Sequence, residues 1–184
     1  RKVMKKAKTP KHIDVGHFRV AIFGSARIKP NDPRYKQIES LAMMIAKEGI
    51  DVVTGGGPGI MEAANKGHQE GGKGKKVHSF GLNIKISKEQ MANKHLDIKK
   101  DFKRFSGRLD HFMYLSNAVV VAPGGIGTML ELLYTWQLVQ VKHICSIPII
   151  LLGPLWPDFI KWVEKWPLKK GLISPEDMHT IFLA

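Results

Sequence analysis

Ala118-Val-Val-Val-Ala-Pro-Gly-Gly-Ile-Gly-Thr-Met-Leu-Glu131 is the stretch on which the fold turns. The apolar run Ala118 to Ala122 stops at Pro123, passes through Gly124, Gly125 and Gly127, and continues at once as a helical pattern. A strand, a glycine turn and a helix in that order aim backbone N–H groups and the positive end of a helix dipole at one point. Such a point suits a phosphate. Glu131 follows one turn later, so an anion site beside a fixed carboxylate is expected.

The same alternation repeats outward from this stretch. Phe18 to Phe23 reads as a first strand ending at Gly24-Ser25-Ala26-Arg27, and Tyr35 to Lys47 as a helix with Ile38, Leu41, Met44 and Ile45 on one face. Ile50 to Thr54 is a second strand, followed by Gly55-Gly56-Gly57-Pro58-Gly59 and a helix from Ile60 to Glu70. Val77 to Leu82 is a third strand. The polar, lysine-rich Asn83 to Lys103 carries a helical turn from Ser87 to Ala92. A helix from Phe105 to Ser116 feeds the strand quoted above, and a helix from Ile126 to Val141 follows it. Ile147 to Leu152 is a fifth strand, Trp156 to Trp166 is amphipathic, and Ser174-Pro175 opens a last short helix.

Strands alternating with helices predict an α/β, Rossmann-like fold, a parallel sheet flanked by helices on both faces. Ligands in such sheets bind beyond the carboxyl ends of the strands, where all three small-residue turns fall. Residues 1–16 form a basic tail and 17–184 a single domain.

Composition narrows the classes. At 184 residues with 43% hydrophobic content the chain can bury a real core. Its longest apolar stretch, Ile144 to Trp156, is broken by Ser146, Pro148, Gly153 and Pro154 and is too short to span a membrane. No apolar segment follows the basic N-terminus, so no secretory signal is read, and a start at Arg1 leaves room for residues upstream. One cysteine, Cys145, excludes an intrachain disulfide and fits a cytoplasmic setting. The net charge of +13 points to anionic partners, but Arg1, Lys2, Lys5, Lys6, Lys8 and Lys11 supply nearly half of it. With no recognition helix, zinc motif or aromatic ribonucleoprotein-type motif, small anions are the expected partners rather than nucleic acid.

Two common phosphate motifs fail. G-x-G-x-x-G is absent, because Gly57-Pro-Gly59 runs to Glu62 and Gly125-Ile-Gly127 to Leu130. Gly67 to Lys73 fits G-x-x-x-x-G-K, but Gly74 stands where a hydroxyl must meet magnesium. Thr128 and Glu131 also fit a capping box, which would satisfy only the helix start. Three glycines ahead of that box exceed what a cap needs and let a ligand approach the backbone. The Gly55–Gly59 turn fits a tight strand-to-helix connection with Pro58 at the first helical position, yet its four glycines suggest that something comes near. Glu62 is a rival carboxylate, better read as a first-turn acid.

Together, Gly55-Gly56-Gly57-Pro58-Gly59-Ile60-Met61-Glu62 and Pro123-Gly-Gly-Ile-Gly-Thr-Met-Leu-Glu131 resemble the two signatures of the LOG ("Lonely Guy") family, long mislabelled lysine decarboxylases. The resemblance runs from about Phe18 to the C-terminus and includes Phe23-Gly-Ser-Ala-Arg27. It implies a Rossmann-like homodimer with active sites near the subunit interface. It also implies hydrolysis of the N-glycosidic bond of a nucleoside 5′-monophosphate, AMP-like or cytokinin-like, to free base and ribose 5-phosphate. On this resemblance Glu131 is the catalytic glutamate and Arg108 its arginine. Gly124, Gly125, Gly127 and Thr128 hold the phosphate, and Gly24, Ser25, Gly56 and Gly57 close the substrate pocket. No metal or cofactor is implied. Leu109 stands where the family has lysine, Phe112 where it has methionine, and Asn117 where it has aspartate. Tyr134 and Gln137 replace a frequent glutamate and threonine. Leu109 motivates an alternative, a non-hydrolytic carrier of a nucleotide or phosphorylated cofactor, resembling molybdenum-cofactor carriers.

Overall fold

The computed structural model of the protein describes residues 17–85 and 91–184. The basic tail lies outside the described residues, as do residues 87–90 of the helical turn expected after Ile84. Met91 and Ala92, the end of that turn, are not helical.

Seven strands among the described residues form one sheet: β1 (Arg19–Phe23), β2 (Asp51–Thr54), β3 (Ser79–Ile84), β4 (Ile98–Phe102), β5 (Ala118–Val121), β6 (Ile149–Leu151) and β7 (Ile181–Leu183). Their order is β4-β3-β2-β1-β5-β6-β7 and every pairing is parallel. The helices are α1 (Pro33–Lys47), α2 (Ile60–Gly71), α3 (Phe105–Leu115), α4 (Ile126–Gln140) and α5 (Trp156–Val163). The α/β expectation is therefore met. The order reverses direction between β1 and β5, and at that switch point connections leave toward opposite edges and open a crevice.

Side chains alternate across the central strands, giving two cores. Val20, Ile22, Ala118 and Val120 pack beneath α1 and α2 with Ile38, Ala42, Ala63 and Ala64. Ala21, Phe23, Val119 and Val121 face the other way, toward Phe112, Leu132, Trp136 and Trp156. Phe23 and Phe112 meet edge to face at 5.0 Å between ring centres, a favoured aromatic geometry.

Two strands escape the sequence reading. β4 lies inside the lysine-rich stretch because its alternation is hidden: Ile98, Lys100 and Phe102 turn inward and Lys99 and Asp101 outward. Lys100 lays its stem inward, its ammonium 5.2 Å from the Phe102 ring centre. Charged residues on such an edge strand also discourage pairing with another chain. β7 has only three residues and sits at the opposite edge. Helix ends differ most at the start of α1 and at the end of α5, which gives way after Val163 to a π-helical segment, Glu164–Leu168. α1 begins two residues early, because the Asp32 side chain accepts from the Arg34 N–H and caps it. α2 begins at Ile60 after an N-cap at Gly59, so Pro58 precedes the helix instead of opening it.

α1 and α2 cross in close contact. A Cβ at Gly67 would lie 1.9 Å from the Glu39 carbonyl oxygen, and one at Gly71 would lie 2.3 Å from that of Met43. Backbone cannot retreat as a flexible side chain does, so Gly67→Ala must separate the two helices. Overpacking of this kind destabilises by about 1–3 kcal/mol. Urea unfolding of Gly67→Ala should therefore give a midpoint well below that of the parent chain, whereas Gly74→Ala, whose side chain meets nothing, should show only the milder effect of its positive φ.

Candidate active site

Three turns meet at the switch point and are stitched together by backbone. The Ser25 N–H after β1 donates to the Pro123 carbonyl after β5 at 3.1 Å, and the Ile60 N–H opening α2 donates to the Ser25 carbonyl at 3.0 Å. They border a cleft of about 500 Å³ lined by Gly24, Ser25, Arg108, Gly125, Gly127, Thr128 and Glu131, with Met61, Ile84, Phe105 and Ile126 as its apolar wall. Seven of the ten residues singled out from sequence thus share one cavity.

The mouth of α4 forms one side. Its N-cap is Gly125, no side chain caps it, and no acid lies in its first turn. The first N–H groups of a helix have no partner within it, so these amides and the uncompensated dipole end remain available. Gly125, Ile126 and Gly127 are exposed. The capping box is not formed, because Thr128 is already the third helical residue and Glu131 lies beyond reach of the N-cap. Gly124 contributes by what it lacks: a Cβ there would lie 2.0 Å from Thr128 Oγ1.

Glu131 forms the floor. Only 8% of it is exposed, and its Oε1 lies 3.0 Å from an Arg108 Nη. Arg108, also 8% exposed, is held on four sides. Its Nε donates to the Leu82 carbonyl at 2.6 Å, and its guanidinium lies 5.1 Å from the Phe112 ring centre, a cation–π distance. It ion-pairs with Glu131, and its other Nη lies where a Cβ at Gly55 would come within 2.3 Å. The first glycine of the Gly55–Gly59 turn is thus a seat for the protein's own arginine.

The rest of that turn lies behind the cleft. The Gly56 N–H donates to Thr54 Oγ1, and the Gly56 and Gly57 carbonyls accept from the backbone N–H and side-chain amide of Asn93. Asn93 and Asn65 tie this turn to β2 and β3 through a buried network with Thr54 and Ser79. The sequence reading did not single out these asparagines, which match no short motif and come together only through the fold. Gly124 borders a neighbouring groove of about 590 Å³ with Arg27, Lys29 and Arg34. Its lining carboxylate, Asp32, is engaged by Arg34 at 2.6 Å, so this groove offers no counterpart to Glu131. Glu62, the rival acid, lines neither cavity.

Two opposing influences set the ionisation of Glu131: burial outweighs the neighbouring Arg108 and pushes the carboxyl up to about 7. Removal from water penalises the carboxylate more than one guanidinium restores. The residues that depart from the resembled pattern lie outside the cleft lining. Leu109 and Phe112 are buried in the core, and Tyr134 donates to Asp110.

The class of protein this architecture defines also emerges from comparison with known proteins. The chain belongs to the family described as "Possible lysine decarboxylase", whose pattern matches residues 61–184, the LOG-like family to which the two glycine motifs pointed. A relative in Escherichia coli K12 is named pyrimidine/purine nucleotide 5′-monophosphate nucleosidase. It is 26% identical over 152 residues, covering 78% of this chain and 32% of that protein. The chain thus spans about a third of the length of that relative. Among solved structures, TM1055 superposes with a TM-score of 0.68 at 24% identity, covering 91% of this chain and 92% of that one. The molybdenum cofactor binding protein of Rippkaea orientalis gives 0.66 at 20%, covering 91% and 89%. The molybdenum cofactor carrier protein of Chlamydomonas reinhardtii gives 0.64 at 21%, covering 91% and 89%. At these identities the three structures show a shared fold.

The raised carboxyl has a stability signature. The folded protein holds its Glu131 proton up to about pH 7, whereas a solvent-exposed glutamate releases it near 4.5. Stability is therefore lost as pH rises through that window, by on the order of 3 kcal/mol from this group. Between pH 4.5 and 7.5 the slope of unfolding free energy against pH should be more negative in the parent chain than in Glu131→Gln, because the opposing rise from His111, whose burial lowers it to about 4, is common to both. Arg108→Leu removes the opposing cation, so a carboxyl titration followed by NMR should place the Glu131 midpoint above 7.

Proposed function

We propose that the protein hydrolyses the N-glycosidic bond of a nucleoside 5′-monophosphate, releasing a free base and ribose 5-phosphate. The observation that carries this reading is the buried Glu131, fixed by Arg108, on the floor of a cleft whose rim is an uncapped helix N-terminus. Substrate phosphate rests on the amides of Gly125 to Thr128, with Gly24 and Ser25 alongside. The sugar then lies over Glu131, and the base meets the apolar wall of Met61, Ile84 and Phe105. The nucleosidase name of the Escherichia coli relative supports the same chemistry.

As the base departs with the bonding electrons, positive charge develops on the ribose, as in glycoside hydrolysis. Glu131 in its ionised form stabilises that charge and accepts a proton from the attacking water. Arg108 orients the carboxylate and limits the rise of its pKa. A carboxyl that titrates near 7 is poised for proton transfer at neutral pH. Gly56 and Gly57, set behind the cleft, act through the Arg108 seat rather than on substrate.

Exposed apolar side chains on three helices, Tyr114, Leu133 and Trp162, support a homodimer. The single cysteine accords with a cytoplasmic setting, and no helix among the described residues is long and apolar enough to cross a membrane. The fold shared with molybdenum-cofactor carriers favours one other reading, a non-hydrolytic carrier of a phosphorylated ligand.

Incubation with a panel of nucleoside monophosphates, followed by chromatography, separates the two readings. Release of free base supports the hydrolase; tight binding in calorimetry without release supports the carrier. Glu131→Gln should bind AMP with little change while its turnover falls by about 10³-fold. Parent kcat/KM should rise with pH along a single limb with a midpoint near 7, the direction set by ionisation of Glu131. Unchanged base release by Glu131→Gln would remove that residue from the chemistry.

A further inference from the structure

The opposite end of the strands carries a second cluster of ligating groups, remote from the cleft. His17 precedes β1, Asp51 opens β2, and His78 precedes β3. Because β1, β2 and β3 are parallel neighbours, their N-terminal ends lie side by side. His17 Nδ1 is 3.6 Å from Asp51 Oδ2, and His78 Nδ1 is 3.9 Å from Asp51 Oδ1. The three ligand atoms all fall within 4.8 Å of one another.

We propose that His17, Asp51 and His78 form a binding site for a divalent transition-metal ion of the zinc class. Two imidazoles and one carboxylate suit such an ion and leave a position for water. Ligand atoms around a tetrahedral zinc ion lie about 3.4 Å apart, given metal–ligand bonds near 2.1 Å. The two histidines approach this distance through different oxygens of Asp51, and the three ligand atoms, within 4.8 Å of one another, must draw together around the ion. The anchor is rigid: Asp51 is fully buried, and its Oδ1 accepts the His78 backbone N–H at 2.8 Å. The imidazoles are the accessible partners, their side chains 29% and 43% exposed, which gives the ion a route in.

A competing cation is present. Arg19 Nε lies 3.4 Å from Asp51 Oδ2, and its guanidinium lies 5.6 Å from the Phe80 ring centre. The metal therefore shares the carboxylate with Arg19, and this positive neighbour weakens the site. Imidazole ligands bind a metal ion only in their neutral form, so binding weakens in acid. Once bound, the ion ties together three segments distant in sequence and stabilises this end of the sheet.

The test uses the full chain and Co²⁺ as a spectroscopic substitute for Zn²⁺. The expected result is a visible d–d spectrum saturating at one equivalent and displaced by Zn²⁺, with Zn²⁺ raising the Tm. His78→Ala changes an accessible side chain and should weaken Co²⁺ binding by about 100-fold, the upper end of what loss of a mere supporting partner costs. His17→Ala should do the same, and both should lose the Zn²⁺-dependent rise in Tm. The control His143→Ala, an exposed histidine on no ligating cluster among the described residues, should behave as the parent. A parent chain without d–d bands would overturn the proposal, as would bands that persist with unchanged affinity in both histidine variants.

Discussion

The ion pair between Arg108 and Glu131, almost wholly withdrawn from water, is the interaction on which the cleft depends. Burying two charges is unfavourable unless the geometry is tightly held, and here it is held from several independent elements. β3 supplies the Leu82 carbonyl, α3 the arginine and the Phe112 ring beneath it, and α4 the glutamate. The turn after β2 supplies the vacancy at Gly55. Under the proposed function, an arrangement that engages four parts of the fold serves the chemistry of Glu131. The cost of withdrawing the pair from water appears as the elevated carboxyl of Glu131.

That pair accounts for the separation of labour between the two glycine motifs. The turn after β5 exposes its amides and helix mouth to the cleft. The turn after β2 is directed inward, its polar groups spent on Thr54 and Asn93. Both carry a glycine whose Cβ would strike one of the protein's own side chains, Gly124 against Thr128 and Gly55 against Arg108. Sequence alone does not distinguish these uses, because a missing Cβ looks the same whatever fills the space.

Much of the architecture was nevertheless legible. Buried central strands such as Val20 to Phe23 and Ala118 to Val121 are apolar on both faces, so they stand out as continuous runs. Edge strands lack that signal. Lys99, Lys100 and Asp101 make β4 look like a loop, and three residues are too few to reveal β7. Glu131 and the α4 loop were visible because motif and helix start coincide in a few consecutive residues. Arg108 required the resemblance, since an isolated arginine near a helix start carries no local mark of burial. Asn65 and Asn93 required the fold itself, as their partners lie up to 36 residues away.

The most direct measurement is a crystal structure of Glu131→Gln with AMP bound. The account predicts the phosphorus atom against the amides of Gly125 to Thr128, and the anomeric carbon facing residue 131 with Arg108 beside it. A phosphate seated instead in the neighbouring groove against Lys29 and Arg34, or a ribose turned away from residue 131, would contradict it.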